Sequence, residues 1–130
     1  MNRPADQFIQ VNGHRIRYWT QGDNGSTVLL LHGISCSVLE WEHNIHALSQ
    51  QHRVIALDLL GCGLSDKPLD ADYQMQAQSK FVLAFMDAMG LSSAHLVGNS
   101  MGGRIAMECA AMQPSRVLSL VLSAPAGIGR

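Results

Sequence analysis

Continuous aliphatic runs constrain what this chain can fold into more than any other feature. "STVLLLHG" (26–33), "RVIALDL" (53–59), "AHLVG" (94–98) and "RVLSLVLSAPA" (116–126) show no polar alternation of the kind a half-solvated strand carries. Such runs read as strands covered on both faces, the pattern of a parallel sheet clothed by helices. The intervening segments supply those helices. Leu39, Trp41, Ile45 and Leu48 in "VLEWEHNIHALSQQ" predict a helix over 38–50. Phe81, Phe85 and Met89 fall one turn apart in "YQMQAQSKFVLAFMDAMG" with Gly90 as a stop, and "MGGRIAMECAAMQ" is ended by Pro114. Alternation with short connections predicts an α/β fold, a mostly parallel sheet wrapped by helices, with "STVLLLHG" central. At the start, "FIQVNGHRIRYWTQG" predicts strands over 8–11 and 14–21 about an Asn12–Gly13 turn, an antiparallel hairpin at one side of the sheet.

The 130 residues fit one domain with one core. Hydrophobic residues at 47% and charged residues at 15% describe a globular chain, and a net charge of -1 gives no reason to expect nucleic acid or an anionic membrane as partner. The apolar runs are far shorter than the roughly 20 residues a membrane span needs. Pro4 and Asp6 stand where an export signal would carry its apolar region. Cys36, Cys62 and Cys109 form no Cys-x-x-Cys pair, so free thiols and a cytoplasmic setting are expected. No metal or organic cofactor is implied, and "DLLGCGLSD" opens no helix that could make it a dinucleotide fingerprint.

The chemistry gathers at "HLVGNSMGGRIAM" (95–107), where a strand, a Gly-x-Ser-x-Gly and a helix follow one another. A sharp strand-to-helix turn would strain Ser100 and lift its hydroxyl above the sheet, and only small neighbours such as Gly98, Gly102 and Gly103 allow that turn. It would also leave the Met101 N–H unpaired at a helix N-terminus. A second donor for an oxyanion could come from the Ile34 N–H, just after the strand that ends at His32–Gly33.

"LLLHG", "VIALDLLGCGLSD" and "HLVGNSMGG" together resemble the N-terminal half of an alpha/beta-hydrolase. The resemblance implies that Ser100 is the nucleophile, that Ile34 and Met101 are the oxyanion donors, and that Asp58, Gly61, Gly63 and Ser65 form a structural loop. It also implies a small-molecule substrate near His32, Gly33 and Asn99. Trp41 packs under the oxyanion loop or lines the pocket. Serine at the elbow, where epoxide hydrolases and haloalkane dehalogenases of this fold carry Asp, implies an acyl-enzyme route. "MDAMGLSSAHLVGNSMGG" and "LVLSAPAGIG" are similar to hydrolases that cleave carbon–carbon bonds in ring-fission products. Esters and amides remain open, because "HGISCSVLEW" lacks those enzymes' Gly-rich loop and Glu42 and His43 follow Trp41 where they carry Asn.

A serine nucleophile needs a histidine base and a carboxylate, which in this fold follow it in the chain. After Ser100 the sequence holds no His and one acid, Glu108 on the following helix. The expectation is a partial domain over 1–130 without cap, last strands, triad acid or His, inactive alone, or else a binding module that reuses the crevice. Of the upstream histidines, His32 is expected to pin the loop, His43 and His46 to face solvent, and His95 to mark a strand boundary. The last strand would be an open edge and a route to self-association.

Overall fold

A computed structural model describes residues 3–124. Pro125 to Arg130, and with them the end of the last predicted strand, lie outside the described residues. A six-stranded sheet carries the fold, with β1 (Gln7–Val11), β2 (His14–Gln21), β3 (Thr27–Leu31), β4 (Arg53–Leu57), β5 (Ala94–Asn99) and β6 (Val117–Ser123) in the order β1-β2-β4-β3-β5-β6. β1 pairs antiparallel with β2, and β2 antiparallel with β4; β4, β3, β5 and β6 run parallel. The hairpin turns through Asn12 (φ 50°) and Gly13 (φ 82°), both in the left-handed region that a two-residue turn of this hand requires. β3 lies at the centre, as its unbroken Val28–Leu31 run predicts.

Helices α2 (Met75–Ala88) and α3 (Met101–Met112) cover one face, where Leu29, Leu31, Ile55, Leu57 and Leu96 meet Phe85, Met86, Ile105 and Ala106 in the main core. On the other face Val28, Leu30, Val54 and Ala56 pack with Trp19, Val38 and Ile45 in a smaller cluster. The helix expected over 38–50 is instead a 3-10 turn, Val38–Trp41, and a separate single turn, α1 (Ile45–Leu48). Its apolar spacing suits a helix, but long-range bonds hold the first part tighter: Val38 N–H donates to Asp58 at 2.8 Å, and Glu40 is drawn toward the sheet. His46 is half-buried against Gln21 rather than facing solvent, whereas His43 is fully in water.

Two strands are less covered than their sequences suggest. β5 alternates buried and half-buried residues, and β6, flanked among the described strands by β5 alone, exposes Leu118, Leu120 and Val121. The second cluster extends over β2, β3 and β4, reaches β5 at the partly buried Val97 and includes no residue of β6.

Candidate active site

Ser100 stands where β5 hands over to α3, at φ 56° and ψ -119°, outside the region L residues favour. The surroundings hold it there. Its N–H donates to Ser123 O at 2.9 Å, and its carbonyl accepts from Gly103 and Arg104 as α3 begins. A Cβ on Gly98 would lie 2.3 Å from Gly102 O, and one on Gly102 would lie 2.0 Å from Leu31 O. The helix therefore enters against the ends of β3 and β5 at a distance that only hydrogen at these two positions permits. The Met101 N–H, in the first turn of α3, has no acceptor among the described residues.

The segment after β3 faces this elbow. His32 is fully buried, and both its ring nitrogens are engaged. Gly33 O can only accept, so Nδ1 carries the proton in their 2.7 Å bond, and Nε2 accepts from the Leu59 N–H at 3.0 Å. Burial holds the imidazole below its ordinary pKa, which favours this neutral tautomer. Gly33 O also accepts from Cys36 N–H at 3.2 Å. With that carbonyl fixed, the trans peptide aims the Ile34 N–H the opposite way, and no described residue accepts from it. A Cβ on Gly33 would sit 3.3 Å from Ser100 Cβ, so loop and elbow are in contact.

A carboxylate that sequence reasoning did not single out joins the two. Glu40 accepts from Gly33 N–H through Oε1 at 2.9 Å and from Asn99 Nδ2 through Oε2 at 2.8 Å. Its partners lie 7 and 59 residues away, so no local pattern marks it. Asn99, placed near the substrate by the resemblance, points its amide at Glu40.

Behind the site, Asp58 is wholly buried and accepts from Arg17 Nε, Val38 N–H and Leu64 N–H at 2.7, 2.8 and 2.7 Å. Ser65 closes the loop, accepting from Arg17 N–H and donating to Asp58 O. Gly61 and Gly63 turn this loop with positive φ, so all four residues that the resemblance assigned to it are together. A cleft of about 570 Å³ opens beside the elbow, with Ile34 and Met101 on its wall beside Leu60, Leu69, Tyr73 and Met75. Trp41 is not on that wall; it packs against the smaller core cluster.

No described side chain hydrogen-bonds to the Ser100 hydroxyl, and Glu108 is paired with Arg104 at 3.1 Å further along α3. Among the described residues there is no group of three His, Cys, Asp or Glu that could hold a metal ion, and no helix long and apolar enough to cross a membrane.

Comparison with known proteins agrees with this geometry. The sequence model of the alpha/beta hydrolase fold matches residues 26–129. The dihydrolipoyllysine-residue acetyltransferase component of the acetoin cleaving system from Cupriavidus necator is 42% identical over 125 residues, 96% of this chain and 33% of that protein. A crystal structure of a membrane phospholipase A superposes with TM-score 0.93 at 39% identity, over 96% of this chain and 41% of the other. The meta-cleavage product hydrolase of Pseudomonas fluorescens IP01 gives TM-score 0.88 at 34% identity, over 93% and 45% of the two chains. The chain thus spans between a third and a half of the length of these relatives. With the sheet order, the strained elbow serine and the match over residues 26–129 all in accord, the chain belongs to the alpha/beta-hydrolase fold family.

Proposed function

We propose that Ser100 is the nucleophile of a hydrolase that works through an acyl-enzyme on a small ester, amide or vinylogous diketone. One observation carries the reading: a strained serine stands beside a largely apolar cleft whose wall carries Ile34 and Met101, the two residues whose backbone N–H groups have no acceptor among the described residues. In the reaction Ser100 Oγ adds to the substrate carbonyl carbon while a histidine takes its proton. The carbonyl oxygen becomes an oxyanion between the two N–H donors, whose alignment is fixed before substrate arrives. The intermediate then expels an alcohol, an amine or, in the carbon–carbon case, a carbanion that takes up the proton. Water hydrolyses the acyl-serine and restores the hydroxyl. The likeness to a meta-cleavage product hydrolase favours the carbon–carbon substrate as the second class to assay.

The histidine and its carboxylate are not supplied by the sequence after Ser100, so the 130-residue polypeptide alone is expected to turn over p-nitrophenyl esters near background. The three free cysteines suit the cytoplasm, where we place it. The deciding experiment uses a form that carries both missing groups: it should hydrolyse p-nitrophenyl acetate, and Ser100→Ala should lower kcat by about 1,000-fold or more. Turnover retained by that variant would remove Ser100 from the mechanism. Stoichiometric fluorophosphonate labelling of the 130-residue polypeptide would show that it activates Ser100 without them.

A further inference from the structure

We propose that Glu40 is a positioning residue that sets the gap between the two oxyanion donors, an inference that rests on the reading of Ser100 as nucleophile. Ile34 N–H belongs to the segment after β3 and Met101 N–H to the segment after β5. The ladder between those strands ends at Leu31↔Gly98, so beyond it the sheet no longer fixes one segment against the other. Glu40 spans that gap, with one oxygen on Gly33 N–H at 2.9 Å and the other on Asn99 Nδ2 at 2.8 Å. These are the residues that immediately precede Ile34 and Ser100. Each is one position upstream of a reacting group, so a slip at either bond moves a donor or the nucleophile.

The residue type follows from the partners. Two N–H donors and the Cys36 thiol meet Glu40, and only a carboxylate offers a separate acceptor oxygen to each N–H. A glutamine keeps an oxygen for Gly33 N–H but reaches Asn99 only if that amide turns over, so the carboxylate alone holds both donors as they stand. Glu40 forms no ion pair with a Lys or Arg among the described residues, so these two bonds are the carboxylate's main support. A negative charge beside a site for a second negative charge opposes catalysis on electrostatic grounds. Its presence there is accounted for by geometry, in that it alone can grip both segments at once.

The test is an exchange of roles. In the 130-residue polypeptide, Glu40→Ala and Asn99→Asp are each expected to speed hydrogen exchange of the Gly33 amide by about ten-fold or more, the first by removing its acceptor and the second by setting carboxylate against carboxylate. In the double variant Glu40→Gln with Asn99→Asp the introduced amide donates to the introduced carboxylate while its oxygen accepts from Gly33 N–H, so exchange should return to within about three-fold of the parent. In a form that carries the catalytic acid and histidine, the single variants should lose on the order of 100-fold in kcat, with KM within about two-fold, and the double variant should recover most of it. Unchanged exchange and kcat in Glu40→Ala, or losses in the double variant as large as those of Asn99→Asp alone, would overturn the proposal. If a single variant does not fold, the double variant decides: recovered fold and Gly33 protection support the grip, and their loss ends it. Should Ser100→Ala keep its turnover, the nucleophile assignment fails while the exchange result still reports on Glu40.

Discussion

At the scale of single residues, His32 shows how a side chain beside the candidate site can be wholly committed to the fold. Its Nδ1–H holds Gly33 O and its Nε2 accepts the Leu59 N–H, so it has no lone pair left to act as a base. Protonation would place a new N–H against the Leu59 N–H inside the core. Burial lowers the pKa from its ordinary 6.5, opposed only in part by the bond to Gly33 and by the charges of Asp58 and Glu40. The unfolded chain therefore takes up this proton at a higher pH than the folded one. The stabilisation is complete above about 6.5 and is lost as pH falls toward the folded-state value, with a slope of at most about 1.4 kcal/mol per pH unit. Urea unfolding of the parent should show stability falling with that sign as pH drops below about 6.5. His32→Gln, which can still accept from Leu59 but does not titrate, should be less stable at pH 7.5 by about 1–3 kcal/mol and should lose one proton's worth of the slope. Equal slopes in the two proteins would mean that His32 does not stay neutral in the fold.

At the scale of elements, the candidate site is assembled around Asp58 rather than around any one helix. One carboxylate joins β2 through Arg17, the 3-10 turn through Val38 N–H and the loop after β4 through Leu64 N–H. Asp58→Ala would leave the guanidinium of Arg17, 6% exposed, with only the half-exposed Asp6 at 3.2 Å, and two N–H groups without acceptors. The expected loss is about 3–5 kcal/mol, read as a lower urea midpoint, with Asp58→Asn falling between that variant and the parent. A loss below about 1 kcal/mol would mean that the three segments are held elsewhere. The same residue explains what could be read from the sequence. The strands were legible because cover on both faces leaves an aliphatic run such as Val28–Leu31, and the elbow because Gly98 and Gly102 are demanded by contacts a few residues away. The 38–50 segment was misread because its winding answers to Asp58, Gly33 and Asn99, none of which lies within it. Glu40 was invisible for the same reason.

At the scale of the whole molecule, the two edges of the sheet differ in character. β1 at one edge carries Gln7 and Gln10 among its five residues, whereas β6, with β5 on one side and no described strand on the other, is aliphatic through most of its length. Leu118, Leu120 and Val121 are 51%, 37% and 55% exposed along it. Beside them Val28, Leu48, Val97 and Val121 line a shallow hollow of about 230 Å³ at the margin of the smaller core. A strand that is long, apolar and unpaired invites a second strand, because pairing satisfies its open N–H and C=O groups and covers its side chains together. Two copies related by a two-fold axis could pair β6 with β6 antiparallel, each strand offering the same surface to the other. The 130-residue polypeptide is therefore expected to sediment as dimers or larger species at micromolar concentrations. Replacing Leu120 and Val121 by Lys should shift it toward monomer, since charge on an edge opposes pairing without touching the core. A parent polypeptide that sediments as a monomer and unfolds in one cooperative step would show that the edge is already protected. Association left unchanged by the two lysines would move the contact away from β6.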